Sequence, residues 1–272
     1  MLGSAKLNSI VSLITSCNSV LVALSGGVDS SVLLKLTVDC LGAAKVLAVT
    51  IRSEITTPEE LTMAARITQI CQVNHEVLTV ADLLVPEFAA NSPERCYYCK
   101  LNRFRLLQEL AGSRGYQVVV DGSNLSDQTD YRPGMRALNE LGIRSPLREC
   151  GFTKEDIRQL AKRFALPNWQ QPANACLASR FPYGTPITAE ALAQVAKGEG
   201  LLLSLGLTQC RLRHHGPIAR IEVVPGEFPL ILEPAHREAI ITGLKQLGYT
   251  YVTLDLQGYR TGSLNEVVAV SR

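Results

Sequence analysis

A short stretch near the amino end places two glycines, three serines and an aspartate at a predicted strand–helix junction. Val20–Leu24 is an unbroken apolar run typical of a buried strand, and Asp29–Leu36 has a helical pattern. Adjacent glycines let backbone N–H groups approach an anion without an intervening Cβ, and the following helix directs its positive end at the same place. The stretch therefore predicts a phosphate-binding loop in which Asp29 faces a Mg²⁺ held by the same phosphates. The candidate binding residues are Ser25, Gly26, Gly27, Asp29, Ser30 and Ser31.

This loop differs from the two commonest phosphate loops. It lacks the G-x-x-x-x-G-K-[ST] spacing, so no lysine of the loop reaches a γ-phosphate, and it lacks G-x-G-x-x-G, so a dinucleotide is not indicated. The alternative is a Gly/Ser connection with no ligand.

Three of the eight cysteines stand where they could do chemistry. Cys96 and Cys99 form a C-x-x-C pair at a predicted helix start, and Cys176 lies in a loop bounded by Pro and Gly. No second C-x-x-C and no H-x-x-x-H accompanies them, which disfavours tetrahedral zinc. The three thiolates could hold a [4Fe–4S] cluster with one iron open, whereas the alternative for the C-x-x-C is coincidence. The other cysteines are predicted to pack in apolar surroundings.

Two further polar stretches are candidates for binding. Asp121–Asp127 is either a polar turn or a second nucleotide contact with Asp127 near the metal, and Arg132 beyond it could meet a phosphate. Arg211 and Arg213 share one face of a predicted strand, so they could grip an anionic group together.

The alternative for these arginines is an exposed strand edge. Glu222 could orient one of them, and Arg180, four residues after Cys176, could favour its thiolate.

Strand and helix patterns alternate through the first two thirds of the chain. This predicts an α/β fold with a doubly wound parallel sheet, whose ligands collect at the carboxyl ends of the strands. From Thr188 the order becomes α-β-β-α-β, which predicts a smaller α+β domain with an antiparallel sheet. The predicted domains are 1–184 and 185–272.

Composition limits the function classes. The net charge of +2 over 272 residues argues against an extended nucleic-acid-binding face. No apolar run is long enough to span a bilayer and no signal segment is evident, which predicts a cytoplasmic protein without membrane association whose cysteines are thiols.

S-G-G-V-D-S-S resembles the pyrophosphate loop (PP-loop) of the N-type ATP pyrophosphatases, and D-G-S-N-L-S-D resembles a second stretch of that superfamily. Together with R-C-Y-Y-C-K, A-C-L-A-S-R-F-P-Y-G and R-L-R-H-H, these motifs look like the LarE family over nearly the whole chain. The resemblance implies an adenine nucleotide alpha hydrolase-like fold.

It also implies an ATP-dependent sulfur transferase of nickel-pincer nucleotide biosynthesis that uses ATP and Mg²⁺. Such an enzyme adenylates a carboxylate of a nicotinate-derived dicarboxylate mononucleotide, releases pyrophosphate and inserts sulfur to give a thiocarboxylate and AMP. Cys176 matches the sulfur-donor position of one branch, and Cys96, Cys99 and Cys176 match the cluster-binding cysteines of another.

The resemblance further implies Arg180, Arg211, Arg213 and Glu222 as substrate-binding residues and a homo-oligomer built through the small domain.

Two rival functions share the loop. A PP-loop tRNA thiolase would need a basic face, and an adenylating synthetase that uses ammonia would not need Cys176.

Overall fold

The chain folds into two compact units. In the computed structural model the described residues are 4–129, 133–171, 175–260 and 262–266. The first unit comprises residues 1–82 and 96–174, and the second comprises residues 83–95 and 175–272. The second unit is therefore built from two separate stretches of sequence.

Helices and strands are numbered along the whole chain. The strands are β1 (Val20–Ala23), β2 (Val46–Arg52), β3 (Asn74–Thr79), β4 (Val118–Val120), β5 (Cys210–His215), β6 (Ile218–Val223) and β7 (Tyr251–Leu254). The helices are α1 (Ser4–Thr15), α2 (Val28–Leu41), α3 (Pro58–Cys71), α4 (Pro86–Ala89), α5 (Arg95–Arg114), α6 (Gly134–Glu140), α7 (Pro146–Glu149), α8 (Lys154–Arg163), α9 (Ala189–Ser204), α10 (Phe228–Leu232) and α11 (Pro234–Gln246). In the described parts of the chain, every helix is too short or too polar to cross a lipid bilayer.

The first unit is an α/β layer structure around a parallel sheet of order β3-β2-β1-β4, which confirms the predicted fold class. Successive residues of β1 enter cores on opposite faces of this sheet. Val20 and Val22 pack with Val32 of α2 on one face, and Leu21 packs with Phe104 and Leu107 of α5 on the other. Because both faces are covered, β1 is an uninterrupted apolar run rather than an alternating one.

The order of the strands creates a crevice beside β1. The chain passes from β1 to β2 on one side, while β4 pairs with β1 on the other side. In open parallel sheets the loops after the two strands at such a reversal diverge and leave room for a ligand at the carboxyl edge. The loop after β1 and the stretch after β4 are the two segments at this position.

The start of α8 is fixed by a capping box that the sequence predicts. Thr153 Oγ1 accepts from the N–H of Asp156, whose carboxylate accepts from the N–H of Thr153. Lys6 adds an ion pair to Asp156 at 2.7 Å. The sequences T-P-E-E at Thr57 and T-K-E-D at Thr153 predict capping boxes, and the structure has both, the first at the start of α3. The start of α8 is therefore well defined, and its first residue, Lys154, enters the candidate site.

The second unit contains a three-stranded sheet of order β5-β6-β7. The strands β5 and β6 are antiparallel, but β6 and β7 are parallel, so the expectation of a wholly antiparallel sheet is wrong. The reason is that α10 and α11 lie between β6 and β7 in sequence and return the chain to the starting edge, which gives β7 the direction of β6.

Asn91 joins the two stretches of the second unit. Its Nδ2 donates to the carbonyl oxygens of Pro182 and Thr185 at 2.8 and 2.9 Å, and its own carbonyl oxygen accepts from the N–H of Gly184 at 2.9 Å. Asn91 is fully buried and has a left-handed φ of 55°, a conformation that asparagine tolerates better than most residues. The short stretch 83–95 is thereby held against the chain that follows Cys176.

Candidate active site

The loop between β1 and α2 has a backbone that requires glycine at one position. Gly26 has a φ of +78°, in the left-handed region. A Cβ at this position would lie 2.5 Å from the carbonyl oxygen of Glu60 in α3. The loop therefore approaches α3 so closely that no side chain fits between them.

Two serine hydroxyls bind the backbone carbonyl of Gly27, the second glycine of the loop. The carbonyl oxygen of Gly27 accepts from Ser30 Oγ at 3.1 Å and from Ser31 Oγ at 2.8 Å. The N–H of Gly27 donates to Ser25 Oγ at 3.3 Å, a long bond that an incoming anion can replace. The N–H groups and the positive end of α2 thus form an arrangement suited to phosphate.

Asp29 lies in the first turn of α2 between two side chains. Lys154 Nζ pairs with Oδ2 of the carboxylate, and Asn124 Nδ2 donates to Oδ1 at 3.3 Å. The Asp29 side chain is 24% exposed, so its oxygens can reach an ion. A carboxylate beside phosphate oxygens is a donor set that suits Mg²⁺, and the residues present fit that ion.

The stretch after β4 packs directly on the start of α2. A Cβ at Gly122 would lie 2.8 Å from the backbone nitrogen of Ser30. Asp127 Oδ2 accepts from the N–H of Asn124 at 3.0 Å and closes the turn within this stretch. Arg132, which the sequence suggests as a phosphate contact, lies outside the described residues.

The C-x-x-C pair lies within a helix. Because α5 begins at Arg95 rather than near Cys99, both Cys96 and Cys99 lie in its first two turns, and residues three apart face the same side. Cys99 Sγ lies 4.0 Å from Oδ1 of Asp82, a buried carboxylate that pairs with Arg103.

Over the described ranges, no group of three or more His, Cys, Asp or Glu side chains is placed to hold a metal ion.

Cys176 caps a 3₁₀ turn over Leu177–Arg180 in the second unit. Its carbonyl oxygen accepts from the N–H of Ser179 at 2.9 Å and from Arg180 Nη1 at 3.1 Å. The thiol is half-buried. The backbone that carries the sulfur is therefore fixed on its carboxyl side.

Arg180 anchors this turn to the rest of the second unit. The guanidinium contacts the carbonyl oxygens of Ala175 and Cys176, and it donates to both carboxylate oxygens of Glu199 at 2.8 and 2.9 Å. Burial opposes its ionisation, but the bonds to Glu199 and the charge of that carboxylate raise the pKa of Arg180. Glu199 also accepts from the N–H of Leu212 in β5 at 2.9 Å, so one carboxylate links the cysteine turn to the sheet.

Arg213 connects the same turn to Glu222. Its Nη1 donates to the carbonyl oxygen of Ser179 at 2.7 Å, and its Nη2 donates to Glu222 Oε2 at 2.7 Å. Arg211 lies over the ring of Tyr259, with 5.2 Å between guanidinium and ring centre.

Burial, and next the charge of Arg180, lower the pKa of Arg211. Although β5 is an edge strand, Arg211 and Arg213 are only 8% and 6% exposed, so these two side chains are buried rather than solvent-exposed as in the alternative. Arg220 also pairs with Glu222, at 2.9 Å, and with Asp255, at 3.6 Å. Among the described residues of this cluster, the four guanidiniums of Arg180, Arg211, Arg213 and Arg220 outnumber the three carboxylates of Glu199, Glu222 and Asp255, which suits an anionic ligand.

Each unit thus gathers one group of the predicted residues. The first unit brings the loop residues Ser25–Ser31 together with Asn124, and the second brings the Cys176 turn together with Arg213 and Glu222. Sequence reasoning missed Lys154 and Glu199. The capping box signalled where α8 starts, but nothing local in the sequence indicates that Lys154 meets a residue 125 positions away.

Comparison with known proteins gives a family for these features. Residues 5–105 match the family described as NAD synthase. A protein of Lactiplantibacillus plantarum named pyridinium-3,5-bisthiocarboxylic acid mononucleotide synthase is 38% identical over 97% of this chain and 95% of its own length. An uncharacterized protein of Synechocystis sp. is 39% identical over 97% of this chain and 98% of its own length. An uncharacterized protein of Methanocaldococcus jannaschii is 30% identical over 89% of this chain and 91% of its own length.

Proposed function

The chain belongs to the LarE family of ATP-using PP-loop sulfur transferases, with the synthase of Lactiplantibacillus plantarum as a relative, and from that premise we propose its reaction. ATP adenylates a carboxylate of a nicotinate-derived dicarboxylate mononucleotide, and pyrophosphate leaves. Sulfur then displaces AMP to give the thiocarboxylate.

The observation that carries this proposal is the surroundings of Asp29. A carboxylate that suits Mg²⁺ lies at the start of α2, with the ammonium of Lys154 beside it and the serine-bound carbonyl of Gly27 in the turn before it. The ammonium of Lys154, the loop N–H groups and the positive end of α2 together supply the positive charge and N–H donors that the leaving pyrophosphate needs. Mg²⁺, when bound by Asp29 and the phosphates, adds Lewis-acid stabilisation of the same charge.

Adenylation makes a poor acyl donor reactive. A carboxylate oxygen of the substrate attacks the α-phosphorus of ATP, the bond to the β-phosphate oxygen breaks, and pyrophosphate departs. The former carboxylate oxygen now belongs to AMP, which is a good leaving group. The role of the loop is to hold the pyrophosphate portion still while its charge develops.

The Cys176 thiolate then attacks the activated carbonyl carbon and AMP leaves, which gives a thioester on the protein. Removal of the α-proton of Cys176 lets its Cβ–S bond break, and the sulfur leaves with the substrate as the thiocarboxylate. The cysteine becomes dehydroalanine. The bonds of Arg180 and Arg213 to this turn support the proposal, because they fix the backbone from which the sulfur projects.

The substrate is proposed to bind through its anionic groups. Arg211 and Arg213 would contact its phosphate or second carboxylate, with Glu222 setting the orientation of Arg213. The burial of these side chains supports this role, because guanidinium groups in a partly dehydrated setting bind anions more strongly than exposed ones do.

The experiment supplies ATP, Mg²⁺ and the dicarboxylate mononucleotide to anaerobically purified protein for one turnover. Pyrophosphate, AMP and thiocarboxylate are expected in equal amounts, together with loss of the elements of hydrogen sulfide at Cys176 by intact-protein mass spectrometry. An iron assay runs in parallel, because iron with an unchanged protein mass would instead assign the sulfur to a cluster on Cys96, Cys99 and Cys176. ATP turnover with no sulfur in the product would refute the proposal.

Replacing Lys154 by methionine is expected to slow pyrophosphate release by on the order of 10²-fold, because the ammonium beside Asp29 stabilises the charge on the departing phosphates. Pre-steady-state pyrophosphate release measures this effect. Lys35→Met is the matched control, since its ammonium pairs with Asp39 at the far end of α2. Equal rates for the two variants would exclude this role for Lys154.

We also propose a cytoplasmic homo-oligomer that assembles through the second unit. Leu232, Tyr251 and Leu256 of that unit are 55%, 59% and 83% exposed, which supports the proposal because contact with a second copy of the chain would remove this apolar surface from water.

A further inference from the structure

Asn168 is a polar side chain inside the first unit, far from the loop in sequence. It is 1% exposed and lies in the turn after α8. Its Nδ2 donates to the carbonyl oxygen of Gly26 at 2.9 Å and to Ser31 Oγ at 2.9 Å. One amide group, 142 positions from Gly26, thus contacts both the loop and the first turn of α2.

The contact with Gly26 determines the orientation of one peptide plane. In a trans peptide the C=O and the following N–H point in opposite directions. Because Asn168 holds the carbonyl of Gly26 toward the protein interior, the N–H of Gly27 must point the other way, where Ser25 Oγ accepts it at 3.3 Å. Without that hold, a glycine at φ +78° has the freedom to turn the plane over and present its carbonyl oxygen to the phosphates.

The backbone carbonyl of Gly27, the next oxygen acceptor of the loop, is held by separate donors. Ser30 and Ser31 hold the carbonyl of Gly27, and Asn168 supports Ser31 by donating to the same hydroxyl that bonds Gly27. Asn168 therefore orients the peptide that follows Gly26 directly, and it orients the peptide that follows Gly27 through Ser31.

The turn that carries Asn168 is itself rigid. Leu166 is fully buried in the core of the first unit, and the ring of Trp169 packs against that core with Lys162 Nζ 5.2 Å from its centre. The carbonyl oxygen of Asn168 accepts from the N–H of Gln171 at 3.0 Å. Because the backbone around Asn168 is fixed on both sides, its side-chain amide can impose a conformation on the glycine loop.

The side-chain oxygen of Asn168 lowers the stability of the fold. Asn168 Oδ1 is buried and has no hydrogen-bond partner within the described residues. A buried unpaired acceptor is unfavourable, and a group retained despite that cost commonly has a functional reason.

We propose that Asn168 is a positioning residue that sets the phosphate loop in its pyrophosphate-binding conformation. This rests on the proposed adenylation, since it assigns Asn168 to the pyrophosphate portion of ATP. The substitution Asn168→Asp keeps the shape and removes the donors. Its carboxylate oxygen would face the Gly26 carbonyl and favour the turned peptide.

The test is calorimetric binding of three ligands with Mg²⁺: pyrophosphate, ATP and AMP. In Asn168→Asp the affinities for pyrophosphate and ATP are expected to fall by about tenfold to a hundredfold, with the affinity for AMP unchanged, because two hydrogen bonds that orient the loop are lost. A purely structural role would lower all three affinities together. Asn74→Asp, at an exposed asparagine of the same unit, is the matched control for added charge.

The outcomes separate the two proposals. Wild-type protein that binds neither ATP nor pyrophosphate would refute the adenylation itself. Wild-type binding with unchanged pyrophosphate affinity in Asn168→Asp would refute the role of Asn168. If Asn168→Asp does not fold, Asn168→Ala gives the same comparison, because it removes the donors without adding charge.

Discussion

Cys176→Ala is expected to form no thiocarboxylate while it still releases pyrophosphate from ATP in the presence of the dicarboxylate substrate. The loop and Asp29 belong to the first unit, so the adenylation residues are untouched. The acyl adenylate then has no sulfur to react with and should accumulate or hydrolyse. Product mass spectrometry and a coupled pyrophosphate assay on the same sample measure both halves of the reaction.

Cys210→Ala is the matched control because Cys210 belongs to the same unit. Its side chain is 2% exposed, and burial raises the pKa of its thiol to about 12, so it does not act as a nucleophile. We expect this variant to lose some stability and to keep forming thiocarboxylate. Full conversion of the substrate by Cys176→Ala to a product without sulfur, such as an amide, would favour a synthetase that uses ammonia or another acceptor.

Gly26→Ala is expected to reduce pyrophosphate release by on the order of 10³-fold, because the loop must move and its oriented N–H donors are lost. The new Cβ would lie 2.5 Å from the carbonyl oxygen of Glu60, and neither backbone can yield without shifting a helix. Single-turnover kinetics with saturating ATP measures the loss in the chemical step.

Gly42→Ala separates this effect from simple backbone strain. Gly42 ends α2 with a φ of +79°, nearly the same as that of Gly26, but among the described residues no atom lies within 4 Å of the position that a Cβ would take there. Alanine there costs about 1–3 kcal/mol of strain, because φ +79° with ψ 149° is a conformation that glycine adopts almost alone, and this lowers the melting temperature but not the turnover. Similar activity in the two variants would show that the close approach to Glu60 is not needed for catalysis.

Local patterns predicted the parts of the molecule whose interactions are local. The apolar run Val20–Leu24 predicted β1 because a strand buried on both faces needs no alternation, and the capping box at Thr153 predicted the start of α8. The S-G-G-V-D-S-S motif indicated the phosphate loop, because its glycines and serines carry the geometry within seven residues.

The remaining features depend on contacts between distant residues. Lys154 meets Asp29 across 125 positions, and Asn168 meets Gly26 across 142. Neither residue stands in a motif of its own. The direction of β7 likewise follows from where α11 returns the chain, which no property of Tyr251–Leu254 reveals.

The hydrogen bonds of Asn91 have a consequence for folding during translation. The residues that Asn91 binds are translated about 90 positions later, which at about 5–20 residues per second is a delay of about 5–18 s. During that interval the nascent stretch 83–95 lacks the hydrogen-bond partners at residues 182–187 that hold Ala89 and Asn91 in the finished fold. A chaperone that protects this stretch would therefore act on the emerging polypeptide well before its carboxyl end is synthesised.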